Sequence, residues 1–177
     1  IFLDRDGVII EDPDVLTTVA DIRIYPGAPA ALRRLKTAGF RLILVSNQPV
    51  VARGLLTEEQ VRELQKVVDR QLVQLGGVRT DAFYFCPHHP RATIPAYRID
   101  CECRKPRPGM LVQASKEHGI DLRTSYLVGD RITDIEAGFK AGCRTIQVQT
   151  GQHNAPRITT PVPPDPGLKP DFICPDL

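Results

Sequence analysis

The opening stretch Ile1-Phe2-Leu3-Asp4-Arg5-Asp6-Gly7 constrains the fold more than any other segment of the chain. Three apolar residues running into an acidic pair predict the end of a buried strand. Gly7 lets the backbone turn as soon as the strand is over. Asp4 and Asp6 then emerge together at a strand's carboxyl end, where open α/β sheets place their ligands. Two carboxylates that close repel each other unless a cation lies between them. The same residues would also serve an ordinary turn, so the other strand ends have to decide.

Beyond Gly7 the chain alternates strand and helix patterns. Val8 to Pro26 has no helical period and reads as an irregular loop with a short strand at Ile22-Arg23-Ile24. Helical spacing runs from Gly27 to Ala38, and Gly39 stops it. Phe40 to Val45 reads as a buried strand ending on Ser46-Asn47. Thr57-Glu58-Glu59-Gln60 is a capping box opening a long helix that Gly76 ends. Ala82 to Phe85 is a short strand leading into Cys86, and Pro108-Gly109 opens a helix to His118. Strands at 125–128, 143–148 and 171–174, with a short helix from about Thr133 to Ala141, complete the pattern. This alternation predicts a doubly wound α/β fold whose mainly parallel sheet is covered on both faces.

In such a sheet the carboxyl ends of the strands share one rim. The first strand delivers Asp4 and Asp6 there, and the second delivers Ser46 and Asn47. The strand at 125–128 delivers Asp130, with Asp134 one turn into the next helix. A third carboxylate beside the opening pair completes a hard oxygen site suited to Mg²⁺. Lys105, in Arg104-Lys105-Pro106, adds a cation. Carboxylates, a dication, a hydroxyl and a lysine together suit phosphoryl transfer, where charge on the transferring oxygens must be stabilised. Each residue alone has an ordinary role, such as a turn, a solvated charge or a cap. Their meeting at one rim does not.

A length of 177 residues fits one domain, covering 1–177. No apolar run approaches the ~20 residues of a membrane span. A net charge of +2 argues against nucleic acid or anionic lipid as a bulk partner. Ile1 already lies in the strand pattern, which predicts residues upstream of this numbering, and nothing visible reads as a secretory signal. The tail is rich in proline and reads as a loop over about 151–170.

Three of the five cysteines fall between positions 86 and 103. Cys86-Pro87-His88 and Cys101-Glu102-Cys103 offer three thiolates and an imidazole, a complete tetrahedral shell for structural Zn²⁺. His89 is an alternative to His88. Cys101 and Cys103 are too close in sequence to pair comfortably as a disulfide, and a nucleic-acid-binding zinc ribbon would need a basic surface with aromatics. Cys143 and Cys174 read as plain buried thiols. Zinc would pin the loop of about 86–103 that leads into Arg104 and Lys105.

Asp4-Arg5-Asp6-Gly7, Ser46-Asn47-Gln48, Lys105-Pro106 and Gly129-Asp130-Arg131-Ile132-Thr133-Asp134 resemble, in order, the four motifs of the haloacid-dehalogenase (HAD) superfamily. With Cys86-Pro87-His88-His89-Pro90, Cys103-Arg104-Lys105-Pro106 and Ala52-Arg53-Gly54, the chain resembles the D-glycero-D-manno-heptose-1,7-bisphosphate 7-phosphatase family and its histidinol-phosphatase relatives. The resemblance implies a HAD-like fold with a minimal cap. It implies Asp4 as nucleophile through an aspartyl-phosphate, and Asp6 as the acid and then the base. Ser46 and Lys105 would hold the phosphoryl group. Mg²⁺ would be held by Asp4, the Asp6 carbonyl and Asp130, with Asp134 in support, and zinc by Cys86, His88, Cys101 and Cys103. Asn47, Arg53 and Arg104 would meet substrate.

The expected enzyme is a cytoplasmic, monomeric phosphoric monoester hydrolase acting on a small phosphorylated sugar of lipopolysaccharide biosynthesis. Histidinol-phosphate phosphatase and a broader sugar phosphatase are the alternatives. Pro49-Val50 replaces the family's common Ser-Gly, and Ile10 its common Asn. Pro49 removes a donor and Val50 adds bulk beside the expected substrate site.

Overall fold

Phe2 and Leu3 make up all of strand β1 (Phe2–Leu3), and both are fully buried on opposite sides of the sheet. Successive strand residues point to opposite faces, so a fully apolar strand needs cover on both. Leu3 packs with Leu32, Leu44, Val68 and Leu72 on one side. Phe2 packs with Ile43, Val45, Met110, Leu111 and Leu127 on the other. The computed structural model describes residues 1–12, 15–152 and 167–177.

Around β1 are β2 (Ile43–Asn47), β3 (Ala82–Cys86), β4 (Tyr126–Gly129), β5 (Arg144–Val148) and β6 (Phe172–Cys174). They form one six-stranded sheet in the order β3-β2-β1-β4-β5-β6, with every pairing parallel. The order runs outward in two directions from β1. The crevice between β1 and β4 is therefore the topological switch point, where such sheets bind ligands. The helices are α1 (Ala28–Thr37), α2 (Pro49–Ala52), α3 (Glu58–Gly76), α4 (Gly109–His118) and α5 (Ile132–Ala141).

Most elements fall where the pattern predicts them, and the differences have local causes. The second strand ends on Ser46 and Asn47 as expected, both paired with β3, but it begins at Ile43 and not at Phe40, whose N–H still donates to the Leu35 carbonyl of α1. The expected strand at Ile22-Arg23-Ile24 shrinks to a single bridge between Ile10 and Ile24. Helix α2 was not foreseen. Pro49 stands in its first turn, where a missing N–H costs nothing. Most of the expected proline-rich loop, residues 153–166, lies outside the described residues.

Candidate active site

Asp4 follows β1 directly, and its N–H donates to the Val128 carbonyl of β4 at 2.9 Å. Asp130 follows β4, and Asp134 lies in the first turn of α5. These placements bring carboxylate oxygens of Asp4, Asp130 and Asp134 within 4.8 Å of one another, all buried. Lys105 projects into the same space, 2.9 Å from Asp4 Oδ1 and 2.6 Å from Asp134 Oδ1. Its ammonium also donates to the Val45 carbonyl at 2.8 Å. Burial pulls the Lys105 pKa down, but Asp134 and Asp4 outweigh it and hold the amine above its ordinary value.

One ammonium cannot neutralise three buried carboxylates. Burial pushes Asp4 up to about 7 against the pull of Lys105, with Asp134 and Asp6 adding to the rise. Burial, then Asp134 and Asp4, push Asp130 up to about 8. Asp130 Oδ1 has no hydrogen-bond partner among the described residues. Missing positive charge, an orphaned oxygen and an all-oxygen donor set together fit a hard dication such as Mg²⁺.

Backbone from a fourth strand end closes around Asp130. The Gln152 N–H donates to Asp130 Oδ2 at 2.7 Å, and Thr150 Oγ1 donates to the Gly7 carbonyl at 2.6 Å. Gly7 has φ +83°, and a Cβ there would stand 2.5 Å from Asp130 Oδ2. A glycine is thus required on two grounds, its left-handed backbone and the approach of the carboxylate.

Asp6 is not one of the clustered carboxylates. Arg5 donates Nε to its Oδ1 and Nη2 to its Oδ2, each at 3.0 Å. Gln48 Nε2 donates to Asp6 Oδ2 at 2.7 Å and to Ser46 Oγ at 2.8 Å. Asn47 pairs with the Lys105 backbone, accepting its N–H at 3.0 Å and donating to its carbonyl at 3.1 Å. Asn47 therefore connects the end of β2 to the segment that carries the lysine.

The predicted cysteine loop converges as well. Cys86, His88, Cys101 and Cys103 form a second cluster within 4.8 Å. Sulfurs lie 3.6 Å apart for Cys86–Cys101 and 3.3 Å for Cys101–Cys103, and His88 Nδ1 is 3.4 Å from Cys103 Sγ. A tetrahedral zinc shell has edges of about 3.5–3.8 Å, so the four donors fit that ion and none is in a disulfide. A hydrogen bond from Cys86, with help from Cys101 and His88, lowers the Cys103 thiol to about 5. His89 is not part of the cluster. Its Nδ1 accepts the Arg91 N–H at 3.0 Å. Burial and the charges of Arg104, Arg53 and Arg91 lower its pKa to about 4. Arg104 donates Nη1 to the His88 carbonyl at 3.0 Å, while Arg53 is exposed.

Residues 102–177 match the HAD-hydrolase-like family model. A D-glycero-β-D-manno-heptose-1,7-bisphosphate 7-phosphatase of Yersinia pestis is 44% identical over 153 residues, covering 86% of this chain and 81% of that protein. The chain belongs to this family of HAD-like hydrolases. The enzyme of the same description from Escherichia coli K12 is 40% identical, over 88% of this chain and 82% of its own. The D,D-heptose 1,7-bisphosphate phosphatase of B. bronchiseptica, solved with magnesium and phosphate, superposes with a TM-score of 0.81 at 34% identity. That match covers 99% of this chain and 92% of the other.

Val50, whose bulk is expected beside the substrate site, is buried against Val51 and Val61. Ile10 is fully buried in the main core. The residues not singled out beforehand are Arg5, Gln48 and the turn at 150–152. The polar residues Gln149 and Thr150 just after β5 are the available signal for the last of these.

Proposed function

We propose that this chain is a Mg²⁺-dependent phosphatase that removes the 7-phosphate of D-glycero-D-manno-heptose 1,7-bisphosphate through an aspartyl-phosphate on Asp4. The observation that carries the reading is the Lys105 ammonium bridging Asp4 and Asp134 beside the orphaned Asp130 oxygen at the switch point. The choice of substrate is supported by the descriptions of the relatives.

In the first step an Asp4 oxygen forms a bond to phosphorus as the bond from phosphorus to the sugar oxygen breaks. Asp6 gives a proton to that leaving oxygen, then takes one from the water that attacks the acyl phosphate and releases inorganic phosphate. Ser46 Oγ accepts from Gln48 and donates to Asp6 Oδ2 only at a long 3.4 Å, so its proton can turn to a phosphoryl oxygen. Lys105 serves as a point charge for the phosphoryl group, and Asn47 acts by bracing Lys105. Arg104 and Arg53 meet the rest of the substrate. Asp4, Asp130 and the Asp6 carbonyl would hold Mg²⁺, with Asp134 in support. When bound, the ion would supply positive charge to offset the negative charge on the phosphoryl oxygens.

The second ion of the proposal is a structural Zn²⁺ on Cys86, His88, Cys101 and Cys103, fixing the loop before Arg104. We place the enzyme in the cytoplasm, as a single-domain monomer over 1–177 feeding synthesis of lipopolysaccharide or a similar heptose glycan. No helix among the described residues is long and apolar enough to cross a membrane.

Phosphate release from heptose bisphosphate and histidinol phosphate, assayed side by side, tests the substrate. The specificity constant should be higher for the bisphosphate. A higher value on histidinol phosphate would overturn the choice.

A further inference from the structure

Arg5 stands between the two carboxylates of the opening motif, is 1% exposed, and has no part in the steps above. Its guanidinium rests over the Phe83 ring, 5.8 Å from the centroid, and forks onto both oxygens of Asp6. Stability does not account for it. A buried ion pair gains little over apolar residues of equal volume, and Arg5 Nη1 is buried without a partner among the described residues, a further cost.

Asp6 needs a fixed carboxyl plane, because it must give up and take back a proton at one point. A carboxylate has about four acceptor sites, two on each oxygen. Arg5 fills one on Oδ1 and one on Oδ2, and Gln48 fills a second on Oδ2 at 2.7 Å. Ser46 Oγ, at 3.4 Å from Oδ2, adds only a long contact. Among the described residues, the open site is on Oδ1.

We propose that Arg5 and Gln48 are positioning residues that clamp Asp6 so that Oδ1 is the atom that carries the proton. The proposal rests on the reading of Asp6 as the proton shuttle. In the forward step the Oδ1 proton passes to the sugar oxygen as its bond to phosphorus breaks. In the return step Oδ1 takes a proton from the water attacking the acyl phosphate. Arg5 and Gln48 stay bonded throughout and exchange no proton.

The test compares release of the leaving alcohol in the first turnover, by rapid quench, from heptose bisphosphate and from p-nitrophenyl phosphate. The sugar alkoxide needs a proton to depart, and p-nitrophenolate does not. Asp6→Asn should slow release from the sugar ester alone, and if it slows neither or both equally, the reading of Asp6 fails. Given that result, Arg5→Lys, which keeps the charge but loses the fork, should slow sugar release by about 10–100-fold and leave the aryl ester and KM unchanged. Gln48→Met should show the same dependence on the ester, and it decides the matter if Arg5→Lys does not fold. Equal losses on both esters, or none, would contradict the clamp while leaving Asp6 in its role.

Discussion

The Lys105 ammonium lies 2.9 Å from Asp4 Oδ1, with only 2% and 10% of the two side chains exposed, and the same nitrogen holds Asp134. Removing one partner of a buried pair leaves charges that nothing else compensates. Lys105→Met should therefore abolish turnover and destabilise the protein by about 3–5 kcal/mol in urea unfolding at alkaline pH. The loss should shrink in acid, where the carboxyls can take protons instead. Unchanged stability across pH would mean that the pair is not formed.

Without Mg²⁺, acid should stabilise the fold. Asp4 and Asp130 titrate at about 7 and about 8 in the folded chain, both above the ordinary value of about 3.8–3.9 for an unfolded chain. Between those limits the folded state keeps protons that the unfolded state has released. Their stabilisation is present below about pH 4 and lost as pH rises through 7 and 8. Mg²⁺ replaces those protons, so the Tm gain on adding it should grow over the same window. Thermal melts in Mg²⁺-free and Mg²⁺-containing buffer at about pH 5.5, 7 and 8.5 check both signs. A Mg²⁺ gain that falls with rising pH would contradict the carboxylate cluster as the binding site.

Gly7 and Gly39 separate backbone strain from crowding. Both have positive φ, +83° and +89°, but a Cβ at Gly39 meets nothing within 4 Å while one at Gly7 strikes Asp130. Gly39→Ala should cost about 1–2 kcal/mol from strain alone. Gly7→Ala should cost more and should also weaken Mg²⁺ binding, measured by calorimetry. Equal effects on stability with unchanged Mg²⁺ affinity would remove Gly7 from the site.

Elemental analysis should find about one zinc per chain. Cys101→Ser should lose most of it along with stability, because Sγ of Cys101 is within 3.6 Å of both other cluster sulfurs. Cys174→Ser should keep the metal. A zinc-free preparation that is folded and active would remove the ion from the proposal.

The ends of β1, β2 and β4 were legible because each is an apolar run that stops on polar residues, a signal local to a few positions. Parallel strands with the same polarity then bring Asp4, Ser46 and Asp130 to one edge with no further information. What stayed hidden depends on which side chains meet across strands. Gln48 stands in the second motif without a role of its own until its place just after β2 is seen to bring it beside Asp6. The buried fate of Ile10 and Val50 comes from an irregular loop and a one-turn helix, neither long enough to show a period. Sequence left His88 and His89 as alternatives, and it is His88 that lies in the cysteine cluster, while His89 Nδ1 accepts the Arg91 N–H.

Asp4 is the residue on which the chemistry turns, and trapping the intermediate tests it most directly. Rapid acid quench during turnover of heptose bisphosphate, followed by peptide mapping, should place a phosphoryl group on the Asp4 side chain. Asp4→Asn should show neither the adduct nor phosphate release. A phosphoryl group on another residue, or full activity in Asp4→Asn, would contradict Asp4 as the nucleophile.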